Sequence, residues 1–317
     1  MNAGSSSDAC AAGWAMELAT LLEQCSEEFE VVELRNESAL RAIRQTGFAS
    51  TQREGVICLA MNRDYLMQAQ GNHCARAIIV PPPLASAIES SHKALIVSRR
   101  AEELYLYLHA KQLPEPSEDL FDIHASASID SSAALRGRVC IEAGVKIGPH
   151  VVICGPASIG TGVCIDAGAV LGCDGLYAKM IGRYRLHMPH FGGVEILNDA
   201  YIHAGAVIVR SAIRGEATRI GEAAHIGVMA NVGHDAEIGA AATLSSHCVI
   251  AGRARVGAHV WIGASATISN AIRVGDRARV RLGSVVVRDV PAGADVSGNF
   301  AVDHARTLRN YLKGAKV

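Results

Sequence analysis

Histidine is the side chain best suited to moving a proton near neutral pH, and this chain places His203, His225, His234, His247 and His259 along one stretch of its second half. A second concentration of useful chemistry precedes them. Residues 172–193, GCDGLYAKMIGRYRLHMPHFGG, gather Tyr177, Tyr184, Arg183, Arg185, His187, His190 and Phe191, groups able to stack on a ligand or hydrogen-bond it. Metal chemistry has less support. The nine cysteines are scattered singly, with no CxxC pair, and no cysteine or carboxylate cluster accompanies the histidines. Neither a zinc site nor a disulfide framework is expected, and reduced thiols fit a cytoplasmic protein. A formal net charge of −1 argues against a nucleic-acid surface. No window has the run of about 18 apolar residues needed to span a membrane, and MNAGSSSDACAAGW does not read as a secretory signal.

Such side chains need a rigid support, and a period of six provides it. An aliphatic residue stands at every sixth position from Ile129 to Leu171. After a break of register the pattern resumes at Ile196 and runs to Val286, interrupted only at Arg214. Neither a helix (3.6) nor an amphipathic strand (2) has this period. Short straight segments that each turn one aliphatic inward do have it, and many of these aliphatics are followed by glycine, as in Val232-Gly233 and Ile238-Gly239. Glycine there is expected to supply the backbone angles of the corner. A column of stacked coils has little room for rings, in keeping with a chain that is 50% hydrophobic but only 4% aromatic.

The remaining sequence divides around this repeat. Residues 1–113 read as a small α/β domain: a largely helical stretch over 12–47, strand-like runs at Gly55–Ala60, Ala77–Val80 and Ala94–Val97, and a helix over Ala101–Leu113. A proline-bearing linker covers 114–122, the repeat domain 123–290 with its loop at 172–195, and a tail 291–317, in which Val302–Lys313 reads as one short helix.

Four segments give the chain a resemblance to a known family. They are Gly55–Tyr65 (GVICLAMNRDY), Ile123–Ala127, the pair Val170–Gly175 and Met188–Gly193, and Asn231–Gly239 (NVGHDAEIG). Together they resemble the hexapeptide-repeat N-acyltransferases of lipid A synthesis, the LpxD family, over roughly residues 31–300. The resemblance implies a mainly β fold, a left-handed parallel β-helix behind a small α/β domain, assembled as a homotrimer with the active site between neighbouring prisms. It implies that Asn62 and Tyr65 hold the nucleotide base, that Asp174 lies in a loop over the site, that His234 is catalytic, and that the amide of Gly252, one coil on, faces the thioester. Chemistry agrees with this assignment: an amine attacking a thioester must lose a proton, and the oxyanion needs a fixed donor. The register turns Val232 inward and sends His234 past the corner. Asp235 is ranked below it, because adjacent side chains in a coil point differently. His247 is the second candidate, and the other repeat histidines read as solvated or structural.

Departures from the family shape the expected function. Asp235 stands where the family usually has Asn, and the His–Asp pair resembles the acetyl-CoA-dependent acetyltransferases of sialic acid and bacillosamine synthesis. Ala271 stands where the family has a second histidine near the phosphates, Leu59 where it often has an aromatic, and little tail remains after Asn299 to engage acyl carrier protein. The expectation is transfer of an acyl group from a thioester, acyl-CoA before acyl carrier protein, to the amine of a nucleotide-linked amino sugar for lipopolysaccharide or another surface polysaccharide. No resident cofactor is implied. The alternatives are sugar O-acylation on the same scaffold and a non-catalytic β-helix, and the pairing of His234 with Gly252 favours catalysis.

Overall fold

A computed structural model describes residues 20–88, 92–112, 118–181 and 184–298. The expected C-terminal helix, residues 114–117 of the linker and Arg183 lie outside the described residues.

The first domain is a five-stranded sheet, β1 (Val31–Arg35), β2 (Gln45–Gly47), β3 (Val56–Leu59), β4 (Ala75–Val80) and β5 (Ala94–Ser98), in the order β1-β5-β4-β3-β2. β2 to β5 are parallel and β1 closes one edge antiparallel. Helices α1 (Arg63–Gly71), α2 (Pro82–Ala85) and α3 (Ala101–Ala110) connect and cover it. Parallel strands need cover on both faces, and successive residues serve opposite faces. Ile57, Ala77, Ile79 and Ile96 pack with Phe29, Leu104 and Leu108 on one side. Val56, Cys58, Ile78 and Val80 pack with Leu66 and Ala69 of α1 on the other. Burial pushes the Cys58 thiol up to about 12, so it packs as an inert apolar group. The expected helix over 12–47 is corrected here: residues 20–25 are helical, but Val31–Arg35 is extended and Glu37–Ala42 is a short 3-10 turn. The β-branched pair Val31-Val32 prefers a strand, and β5 offers an open edge to pair with.

From Leu120, three residues before the expected start, the chain winds as a left-handed parallel β-helix with sheets of nine, eight and eight strands. Coils stack in register at 18 residues, Val232 on Ile250 and Ile238 on Val256, so each aliphatic sits on its counterpart. One core runs unbroken from Val139 to Val290. Each fully buried aliphatic is worth about 1.5–3 kcal/mol, so the inward column is a large favourable contribution repeated in every coil.

The corners differ from expectation. Left-handed backbone falls three positions after the aliphatic, on non-glycine residues such as Asp235, His247, Arg253 and Ala271, with φ near +60°, and elsewhere on glycines such as Gly144, Gly162 and Gly283. The glycine that follows the aliphatic serves close approach instead. A Cβ on Gly239 would stand 2.5 Å from the Gly257 carbonyl carbon of the next coil. Two excursions leave the repeat at one corner. The first carries the antiparallel hairpin Ala178–Ile181 and Tyr184–His187. The second, residues 210–216, accounts for Arg214: Tyr201 pairs with His225, one hexad more than a coil.

Candidate active site

His234 sits at the corner between Val232 and Glu237, the corner from which both excursions leave. Its orientation follows from Asp235. At φ +59° the Asp235 carboxylate folds back beside its neighbour, and Oδ2 accepts from His234 Nδ1 at 2.7 Å. Ser211 Oγ donates to the other carboxylate oxygen, and the Ala212 amide donates to Oδ2 at 3.2 Å. Fully buried Thr218 accepts from the Asp235 amide at 2.8 Å. This corrects the low rank given to Asp235: the left-handed corner reverses the usual divergence of adjacent side chains. With Nδ1 donating to the carboxylate, the neutral ring presents its lone pair at Nε2.

Nε2 lies over Gly252, where a Cβ would collide with it. The Arg253 amide donates to the His234 carbonyl at 2.8 Å, tying the two coils together at this corner. Around the ring, Tyr177 lies parallel at 6.4 Å between centroids, and His190 meets it edge-on at 5.5 Å. Asp174 is 3.9 Å from Arg210, whose Nε donates to the Gly192 carbonyl at 2.9 Å, so it braces the loop beside His190. His247 is at a different corner, between Leu244 and Val249, and does not join His234 within the chain.

The first domain closes the same corner. Arg253, one coil above Asp235, points its guanidinium over the Phe48 ring at 4.5 Å and the Tyr65 ring at 5.4 Å, and donates to Tyr65 Oη at 3.4 Å. A cleft of about 290 Å³ lies here, lined by Phe48, Tyr65, Asp235, Arg253, Arg255 and Arg273 among others. Asn62 is at its helix: Oδ1 accepts from the Tyr65 amide at 2.9 Å and caps α1. Two signals were absent from the sequence reading. Ser211 hides in the hexad break around Arg214, and Phe48 lies between the motifs. Away from this corner, ligand atoms of Glu54, His73 and Cys74 fall within 4.8 Å of one another, and Arg76 holds Glu54 at 2.9 Å.

No protein-family model matches the chain, and no curated protein does. Among solved structures it is similar to UDP-N-acetylglucosamine acyltransferase of Francisella novicida, at 21% identity and TM-score 0.47 over 61% of this chain and 72% of that one. It is similar to LpxA from Acinetobacter baumannii at 24% identity and TM-score 0.42, over 62% and 78%. PerB from Caulobacter crescentus, solved with CoA and GDP-perosamine, matches at 19% identity and TM-score 0.16, over 64% and 66%.

Proposed function

We propose that this protein is an acyltransferase in which His234 takes the proton from the amine of a nucleotide-linked amino sugar as that amine attacks an acyl thioester. The observation that carries the reading is the His234–Asp235 dyad seated on Gly252. The amine nitrogen forms a bond to the thioester carbonyl, and its proton passes to Nε2 of His234. Asp235 holds the ring in the required tautomer and lies against the positive charge it gains. The tetrahedral intermediate then collapses, the carbon–sulfur bond breaks, and the proton returns to the departing sulfur. The products are an amide and a free thiol.

Gly252 supplies the oxyanion donor in this scheme. Its neighbours Ala251 and Arg253 donate to Ile268 and His234, and among the described residues no backbone carbonyl accepts from Gly252 N. The cleft beside Tyr65 and Arg253 suits the nucleotide: rings to stack a base, guanidinium groups for phosphates. Asn62, with Oδ1 engaged as a cap, reads the base through its amide NH₂, and Asp174 and His247 are assigned to substrate binding, His247 from a neighbouring prism of a homotrimer. Acyl-CoA is the assigned donor, ahead of acyl carrier protein, and the cytoplasm is the assigned compartment.

Mass spectrometry after incubation with nucleotide amino sugars, their hydroxyl analogues, and CoA or carrier-protein thioesters tests this reading. An amide product formed with a CoA donor is expected. An ester from the hydroxyl analogue alone would move the assignment to O-acylation, and no product from any pair would remove catalysis.

A further inference from the structure

His190 has no place in the scheme above, yet it is only 5% exposed and touches the ring at its centre. Its Nδ1 donates to the Met188 carbonyl at 3.2 Å, which leaves Nε2 as the lone-pair nitrogen. Among the described residues that buried nitrogen has no hydrogen-bond partner. Burying an imidazole nitrogen unpartnered is costly, so something the ring does must offset it. Nε2 is buried beneath the Gly175 turn: a Cβ on Gly175 would stand 3.1 Å away. What the ring does reach is His234, at 5.5 Å and 81° between planes.

We propose that His190 is a positioning residue: its edge-on ring fixes the plane of the His234 imidazole and so keeps Nε2 over Gly252. This rests on His234 being the base. The imidazole is then flanked by Asp235 at Nδ1, Gly252 beneath Nε2, Tyr177 parallel to its face and His190 edge-on, with a quarter of its side chain still exposed for an acceptor to reach. Tyr177 and His190 both belong to the 172–193 excursion, so one insertion supplies both walls. The first domain anchors that insertion. His109 Nε2 donates to the Pro189 carbonyl at 2.9 Å, and the Phe191 ring packs on His109 at 5.1 Å. Aromatic contacts of this kind are directional, and an edge-to-face pair resists rotation of either ring. Burial, followed by the neighbouring His234, lowers the His190 pKa, so the ring stays neutral and adds no charge beside the base.

The test compares His190→Ala with His190→Phe, which keeps a ring edge but no nitrogen, and runs His234→Ala beside them. Steady-state kinetics and thermal melting are measured on the full chain. Loss of alignment of a base typically costs about 10–100-fold, so His190→Ala is expected to lose kcat on that scale with KM for both substrates within about twofold. His190→Phe is expected to recover kcat to within about threefold of the unaltered protein. A phenylalanine variant that folds but is as slow as the alanine variant would overturn the proposal, since the nitrogen itself would then matter. So would an alanine variant of full activity, or one whose loss lies in KM. If His190→Ala does not fold, the phenylalanine variant alone decides. An active His234→Ala protein would instead overturn the assignment of the base.

Discussion

His109 joins the domains, and its burial has consequences for stability as well as for the site. His109 donates from Nε2 to the Pro189 carbonyl and accepts from Thr46 Oγ1 at 2.6 Å, an arrangement open only to the neutral ring. Burial pushes its pKa down to about 4. An unfolded chain binds that proton near pH 6.5, so between these values the unfolded state holds more protons than the folded one. Stability is therefore retained above about pH 6.5 and lost as pH falls towards 4, by ~3 kcal/mol for a shift of this size. Urea midpoints at pH 7.5 and pH 5 are expected to differ less in His109→Gln than in the unaltered protein. Equal pH dependence in the two would show that His109 is not the group responsible. At this scale His234 and Gly252 were legible, because the hexad register places both at the same corner of successive coils. Asp235 was not, because its left-handed backbone, set by the corner of the fold, leaves no mark in the residue pattern.

At the scale of the element, glycines on consecutive coils carry different duties. Gly252 has ordinary negative-φ backbone, so alanine there meets no conformational strain; it meets the His234 ring, with Cδ2 and Cε1 each 2.8 Å from the new Cβ. Gly239→Ala meets backbone instead, at 2.5 Å. Gly252→Ala is expected to melt near the unaltered protein but to lose turnover about 100-fold as the imidazole is pushed aside. Gly239→Ala is expected to lower the melting temperature. Melting curves and kinetics on both variants check this, and a reversed pattern would contradict the division of roles. The hexads themselves were plain in the sequence, since Ile226, Val232 and Ile238 repeat without exception and each lands in the core. The excursions were harder to read. Residue 214 looked like one lapse in a continuous column, whereas a whole hexad leaves the coil to bring Ser211 to Asp235. The helix expected over 12–47 failed for a related reason: apolar spacing near Leu40 and Ile43 mimics a helix, and tertiary pairing of Val31–Arg35 with β5 decides otherwise.

At the scale of the molecule, the groups around His234 come from one chain: the excursions, the coil above and the first domain. Assembly would add to this site rather than create it. One sheet presents apolar side chains outward, Val249 at 39% exposure and Val285 at 60%, with Val228 and Met229 at the adjoining corner. Such an exposed apolar face marks a contact, and the proposed homotrimer is expected in solution. Light scattering that reports one chain mass at micromolar concentration would contradict it and leave His247 without a part in the site. The whole account turns on a single imidazole. Removal of a positioned acid–base group costs about 10²–10⁴-fold in rate. The direct measurement is the rate of acyl transfer by His234→Ala, made on protein shown by melting and by substrate binding to be folded and competent. The account predicts turnover lower by about that factor with binding of both substrates retained. Turnover close to that of the unaltered protein would contradict it.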